Sequence, residues 1–290
     1  MSDKSYHDLP GPVMAFLSDM AGQRLDAVDV YDLAFLNWAI GQTLPGLVVE
    51  IGTASGFSAR AMSLMLDEIG LEQSHIWTGD MRRRCYWDDS LAVGFLLEDL
   101  PAERITRETG ITALDAVERF DPGSVGLGFI DASHQHPWPL IDTLCLLPLL
   151  AADMPVVHHD LQLYSDPNNR VGVGPKVLFD QIPPEDRITA AELGEAAGRN
   201  NIFALRRDAD YRAQGLMLAQ AFCLPWSIVH PLDPGFVTRL TAFLRETYPP
   251  RVAEMFEIGL ERDTHRRTAK SPPPPAPLWR RVARRVLRRG

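Results

Sequence analysis

Apolar residues recur at spacings of three and four over residues 13–43, with Val13, Phe16, Leu17 and Met20 early and a second run at Val30–Ile40. That period predicts helix. The next segment breaks it: Gly46-Leu-Val-Val-Glu-Ile-Gly52 is short, continuous and bounded by glycines, as suits a strand buried on both faces. Further strands are expected at Ser74–Gly79, weakly at Arg104–Glu108, and at Val125–Ile130 and Pro155–His158. Helical periods are expected at Ser58–Ile69, Leu91–Leu100, Ala113–Phe120, Leu140–Leu150 and Val173–Ile182. Arg187–Ala191 and Ile202–Arg206 could close the sheet as a hairpin. Two more helices are expected around Gln214–Phe222 and Val237–Tyr248, broken by Pro225-Trp226 and by Pro231–Pro234.

Strand and helix alternate five times, which predicts an α/β fold with a doubly wound, mostly parallel sheet. Ligands of such sheets sit beyond the carboxyl ends of the strands. Gly52, Thr53, Ala54, Ser55 and Gly56 follow the first strand and Asp80 ends the second. Asp131, His134 and His136 follow the fourth, and His158, His159 and Asp160 the fifth. Acids and imidazoles thus gather where a site is expected. A dinucleotide fingerprint wants Gly-x-Gly-x-x-Gly, but position 54 is alanine and only Gly52 and Gly56 are present. The carboxylate of Glu50 would sit badly beside a pyrophosphate. It would sit well near S-adenosylmethionine, which carries a sulfonium and an ammonium instead. Asp80 could then accept hydrogen bonds from two ribose hydroxyls, or cap a helix or pair with Arg82–Arg84. A hydroxyl acceptor needs a base, and His134, with an ordinary imidazole pKa near 6.5, is the candidate. The adjacent His158 and His159 must face opposite ways, one toward the pocket and one toward the core. His136, before Pro137, reads as a solvated loop residue, and Asp115, Glu118 and Arg119 as a wet helix face.

VVEIGTASGFSARAMS at 48–63, FIDASHQHPWPLIDTLCLLPLL at 129–150 and VVHHD at 156–160 resemble the class I methyltransferases. The resemblance is to the bacterial group that includes macrocin O-methyltransferase-like and cephalosporin hydroxylase-like enzymes, and it covers about residues 30–207. It implies a Rossmann-like sheet with an antiparallel last strand, S-adenosylmethionine as methyl donor, and sugar or natural-product hydroxyls as acceptors. Asp131, Ser133 and His134 reproduce the group's Asp-x-x-His signature. Metal-dependent relatives carry acids where Asp131 and Asp160 stand, which implies that these two would hold Mg²⁺ if it binds. The residue after Asp160 is Leu161, which cannot ligate a hard cation. The group's Gly-Gly turn before the fifth strand is Ala151-Ala152-Asp153-Met154-Pro155 here. Two alternatives are an NAD(P)-dependent oxidoreductase on the same sheet and a non-catalytic binding scaffold. An iron site from two imidazoles and Asp160 stays open, though no convincing spacing marks one.

The 290 residues are 46% hydrophobic and 23% charged, an ordinary globular composition. The organisation expected is a helical segment at 1–45, the Rossmann-like domain at 46–207, a helical addition at 208–268, and a Pro-rich spacer with a basic tail at 269–290. Cys85, Cys145 and Cys223 form no close pair, and the start lacks a secretory pattern, so a cytoplasmic protein is expected. The net charge is −9, yet residues 271–290 hold six arginines and no acid; the remaining 23 basic and 38 acidic residues leave a body at −15. That charge argues against nucleic-acid binding by the main domain. In the tail, Trp279, Val282, Ala283, Val286 and Leu287 fall on one helical arc and the arginines on the other. This basic amphipathic pattern would suit an anionic membrane surface, or contact with the acidic body, or a solvated tail. A small-molecule acceptor is the expected partner, and oligomerisation is open.

Overall fold

The computed structural model describes residues 9–270 except 24, 26, 27, 170 and 191–200. In chain order its strands are β1 (Leu47–Ile51), β2 (His75–Asp80), β3 (Arg84–Cys85), β4 (Asp88–Ala92), β5 (Ile105–Thr109), β6 (Leu127–Ile130), β7 (Pro155–His158), β8 (Arg187–Thr189) and β9 (Phe203–Arg206). Seven of them make one sheet in the order β5-β2-β1-β6-β7-β9-β8, while β3 and β4 pair separately. β1 pairs parallel with β2 and β6, and β9 runs antiparallel to both β7 and β8. The expected doubly wound sheet, its antiparallel last strand and the closing hairpin are therefore present. The strand order reverses at β1, between β2 and β6, and the cleft above that switch is where a ligand belongs.

The helices are α1 (Gly11–Asp19), α2 (Val30–Thr43), α3 (Phe57–Glu68), α4 (Ala113–Val117), α5 (Trp138–Leu146), α6 (Gly174–Gln181), α7 (Tyr211–Leu218), α8 (Pro234–Thr247) and α9 (Pro250–Lys270). Each sheet face has its own core. Val13, Phe35 and Met62 from α1–α3 pack with Val48 and Phe129 on one face. Leu144, Leu178, Phe222, Leu244 and Phe256 pack with Val49 and Ile130 on the other. Alternation along β1 sends Val48 and Val49 to opposite cores, as period two requires. Each fully buried aliphatic side chain contributes about 1.5–3 kcal/mol. The C-terminal helices thus share the core of the sheet.

Four expectations need correction. Residues 13–43 are two helices, with Gly22 at φ +84° in the break and Asp29 capping α2 through a reciprocal box with Asp32. Residues 91–100 are the end of β4 and a single turn at Phe95–Leu97. Gly94 N donates to Ala54 O at 2.8 Å and Leu96 N to Ser55 O at 3.1 Å, so the segment docks on the first strand's loop and does not wind up. Helix α9 lies beyond the last helix expected, around Val237–Tyr248, and Pro250 opens it. Pro234 likewise opens α8 behind the capping Asp233. The tail pattern at 279–290, the spacer and the last residue of the Arg187–Ala191 strand lie outside the described residues. Among the described residues, no helix is long and apolar enough to cross a membrane.

Candidate functional site

A cavity of about 670 Å³ opens over the carboxyl ends of β1, β2 and β6, lined among others by Gly52, Ala54, Asp80, Asp131, His134 and Asp160. That size suits a cofactor or a small molecule. Gly52 sits at φ +105°, and a Cβ there would lie 2.0 Å from Asp131 O. Only glycine lets the β1 turn pass so close to the end of β6. Ala54 holds the left-handed conformation at φ +47°, with its N–H on Asp80 Oδ2 at 3.1 Å. Asp80 Oδ1 accepts from Arg82 N at 2.7 Å. Both carboxylate oxygens keep further lone pairs for a ligand.

The other members of the loop do not line the cavity. Glu50 is fully buried, with Oε1 accepting from Ser58 Oγ and Oε2 from Thr78 Oγ1, each at 2.5 Å. Burial pushes its carboxyl up to about 8, against those two hydrogen bonds and with help from the charges of Asp131 and Asp80. Thr53 Oγ1 lies 2.7 Å from Thr78 Oγ1, and Ser55 Oγ accepts from Phe57 N at 3.3 Å. Gly56, at φ +88°, would drive a Cβ to 2.6 Å from Leu97 Cγ. Glu50, Thr53, Ser55 and Gly56 therefore brace the loop from below, and the cavity is met by Gly52 and Ala54.

Across the cleft, the ends of β6 and β7 bring Asp131, His134, His159 and Asp160 together. His134 Nε2 lies 3.2 Å from Asp131 Oδ1 and 3.2 Å from Asp160 Oδ2. His159 Nδ1 lies 3.3 Å from Asp131 Oδ1, and its Nε2 is 2.9 Å from Asp32 Oδ2 on α2. Burial alone would raise the Asp131 carboxyl, but the charge of His159 and the hydrogen bond from His134 hold it well below the usual range. Burial alone would lower His134, and Asp131 and Asp160 outweigh it and raise the imidazole. His159 is raised further for the same reason, through Asp131 and Asp32. Asp160 sits at φ +61° and accepts from Asn201 Nδ2 at 2.9 Å. Asp131, His134 and Asp160 each place one ligand atom within 4.8 Å of the others, a separation that one divalent cation can bridge.

The histidine pair divides as expected. His158 faces the core, stacked 5.0 Å from Phe203 with Nε2 3.1 Å from Thr143 Oγ1, while His159 faces the cleft. His136 is not solvated: it is 1% exposed, its Nε2 donates to Ala221 O at 3.0 Å, and burial lowers it to about 4. Asp115 and Glu118 are not merely wet, since Arg239 of α8 binds both at 2.7 Å. His159, singled out in the sequence only as one of an adjacent pair, gains its partner from Asp32, 127 positions away; one cleft residue had no signal in the sequence. Asp142 on α5 lines the cavity at 3% exposure, and burial pushes its carboxyl up to about 8.

Residues 49–161 match the model of a family described as a methyltransferase domain. A putative caffeoyl-CoA O-methyltransferase from Staphylococcus aureus superposes with a TM-score of 0.49 at 16% identity, over 69% of this chain and 93% of that one. The O-methyltransferase TomG from Streptomyces achromogenes, solved in complex with SAM, superposes with a TM-score of 0.46 at 19% identity, over 71% and 91% of the two chains. No curated sequence matches the chain.

Proposed function

We propose that the chain, whose residues 49–161 match a methyltransferase domain, transfers the methyl group of S-adenosylmethionine to a hydroxyl of a small-molecule acceptor. One observation carries this reading: the Gly52 turn with Asp80 on one side of a single cleft, and the Asp131, His134 and Asp160 cluster on the other. The ribose hydroxyls would donate to Asp80, and the backbone of Gly52 and Ala54 would pass beneath the methionine portion. The base would lie toward Ile111 and Asp142, on the β5 side of Asp80. No hydrogen bond among the described residues occupies the Asp142 carboxyl, and the exocyclic amine of adenine is a donor suited to it.

The sulfonium methyl is already electrophilic, so rate comes chiefly from holding the acceptor oxygen in line with it. His134 is the base: with Nε2 donating between Asp131 and Asp160, the Nδ1 lone pair would take the acceptor proton, and the two acids orient the ring and stabilise the imidazolium that forms. Asp131 and Asp160 would also hold a divalent ion, which would lower the pKa of a bound hydroxyl. Neither the oxidoreductase nor the scaffold alternative gains support from the domain match. Mixing the full chain with methyl-labelled S-adenosylmethionine and a panel of sugar and phenolic hydroxyls tests the proposal. Label should appear in an acceptor's oxygen ether. Donor binding without transfer to any hydroxyl, or transfer only to amines, would overturn the O-methyl assignment.

A further inference from the structure

Among the described residues, the buried imidazole nitrogen in the cleft that lacks a hydrogen bond is His159 Nδ1. It lies 3.3 Å from Asp131 Oδ1 and 3.6 Å from Asp160 Oδ1, yet it is aligned as a hydrogen-bond donor to neither. We infer that His159 Nδ1 is a metal ligand beside Asp131 and Asp160, and that the cleft therefore selects a divalent transition ion of the Mn²⁺, Fe²⁺ or Zn²⁺ class over Mg²⁺.

The 3.3 Å between Nδ1 and Asp131 fits two ligands of one ion, and the 3.6 Å to Asp160 is slightly longer. Two ligand atoms about 2.1 Å from a metal and set at octahedral to tetrahedral angles lie about 3.0–3.4 Å from each other. The other ring nitrogen is committed. Nε2 donates to Asp32 Oδ2 at 2.9 Å, so Nδ1 is the ring nitrogen that faces the carboxylates, and an ion bound there would take the place of its proton. Asp32 is held in turn, accepting from Asp29 N at 3.1 Å inside the cap of α2. A carboxylate behind a histidine behind a metal is the usual outer arrangement that fixes tautomer and ring orientation. Asn201 does the same for Asp160, through its donation to Oδ1. His159 is 8% exposed, so water does not serve Nδ1 in the way it serves a surface imidazole.

The charge also fits. Two carboxylates and a neutral imidazole balance a 2+ ion. The donor set then decides the metal. Mg²⁺ demands a near-octahedral shell of oxygens and gives up water reluctantly. Imidazole nitrogen suits Fe and Zn, and the affinities of first-row divalent ions for a mixed nitrogen and oxygen site rise from Mn²⁺ through Fe²⁺ in the Irving–Williams order. Leu161 does not need to supply a ligand, because the residue before Asp160 supplies it. This deepens the methyl-transfer proposal and rests on it only for what the ion does to the acceptor; metal binding is read without any transfer.

The test is pulsed electron paramagnetic resonance on the chelator-stripped full chain reloaded with one Mn²⁺, followed by Mg²⁺ competition. Nitrogen modulation from a coordinated imidazole is expected in wild type and in His134→Gln, and its loss is expected in His159→Asp. Mg²⁺ should displace Mn²⁺ only at about 100-fold or greater excess, narrowing several-fold or more in His159→Asp, where oxygen replaces nitrogen. Asp32→Asn should weaken Mn²⁺ binding about 10- to 100-fold. Absence of nitrogen modulation in wild type would overturn the inference, and that arm needs no variant to fold. So would modulation that survives in His159→Asp but vanishes in His134→Gln. Failure of donor binding in a separate S-adenosylhomocysteine titration would count against the proposed function and leave the metal assignment standing.

Discussion

Glu50→Gln separates a loop brace from a ligand contact. In the folded protein burial holds the Glu50 carboxyl at about 8, against an ordinary 4.5. A raised folded pKa means that the stabilising proton is fully held below pH 4.5 and lost as pH climbs through 8. The gap of about 3.5 pK units corresponds to roughly 5 kcal/mol of stability lost across that window, at 1.36 kcal/mol per unit. Glutamine is neutral throughout. Its carbonyl can accept from Ser58 Oγ and its amide can donate to Thr78 Oγ1, much as the protonated acid does. Urea unfolding of both proteins at pH 5, 7 and 9 is the assay. The variant should match wild type near pH 5 and exceed it by an amount that grows to a few kcal/mol at pH 9. S-adenosylhomocysteine affinity should change by less than about threefold, because the side chain does not reach the cavity. Parallel stability curves would refute the burial argument, and a collapse of ligand affinity would return Glu50 to the binding site.

Asp80→Ala should weaken S-adenosylhomocysteine binding by about 1–3 kcal/mol by calorimetry, the cost of a charge-assisted hydrogen bond. His134→Ala should cut turnover by about 10²–10⁴-fold in the methyl-transfer assay with donor affinity retained. Wild type should bind S-adenosylhomocysteine more tightly than its inosine analogue, which lacks the exocyclic amine, and Asp142→Ala should erase that preference in the same titration. A 1–270 truncation should keep methyl transfer, since each assigned residue precedes it. If the basic tail docks on membranes, the truncation should also pellet less than the full chain with anionic vesicles; equal pelleting would remove that role.

Much of the sheet was legible because each buried strand leaves a short continuous apolar run between turn residues, as at 46–52 and 155–158. The strand ends were legible for the same reason: Asp80, Asp131, His134 and Asp160 follow such runs and meet in the cleft. What failed depended on contacts far along the chain. Leu91–Leu100 has helical spacing, but its backbone is claimed by Ala54 and Ser55, and Arg107 Nη1 reaches the carbonyls of Val93 and Gly94 at 3.0 and 2.9 Å. His136 looked solvated beside Pro137, yet Ala221 and Ser227 of the C-terminal helices and their loop close over it. Glu50 read as a donor contact because strand parity alone does not say which face meets a ligand; Ser58 and Thr78 claim it for the interior.

The most direct test of the account is a calorimetric titration of the intact chain with S-adenosylhomocysteine, run beside NADH. Saturable one-to-one binding of S-adenosylhomocysteine with no heat from NADH is the expected result. Binding of NADH, with none of S-adenosylhomocysteine, would contradict it.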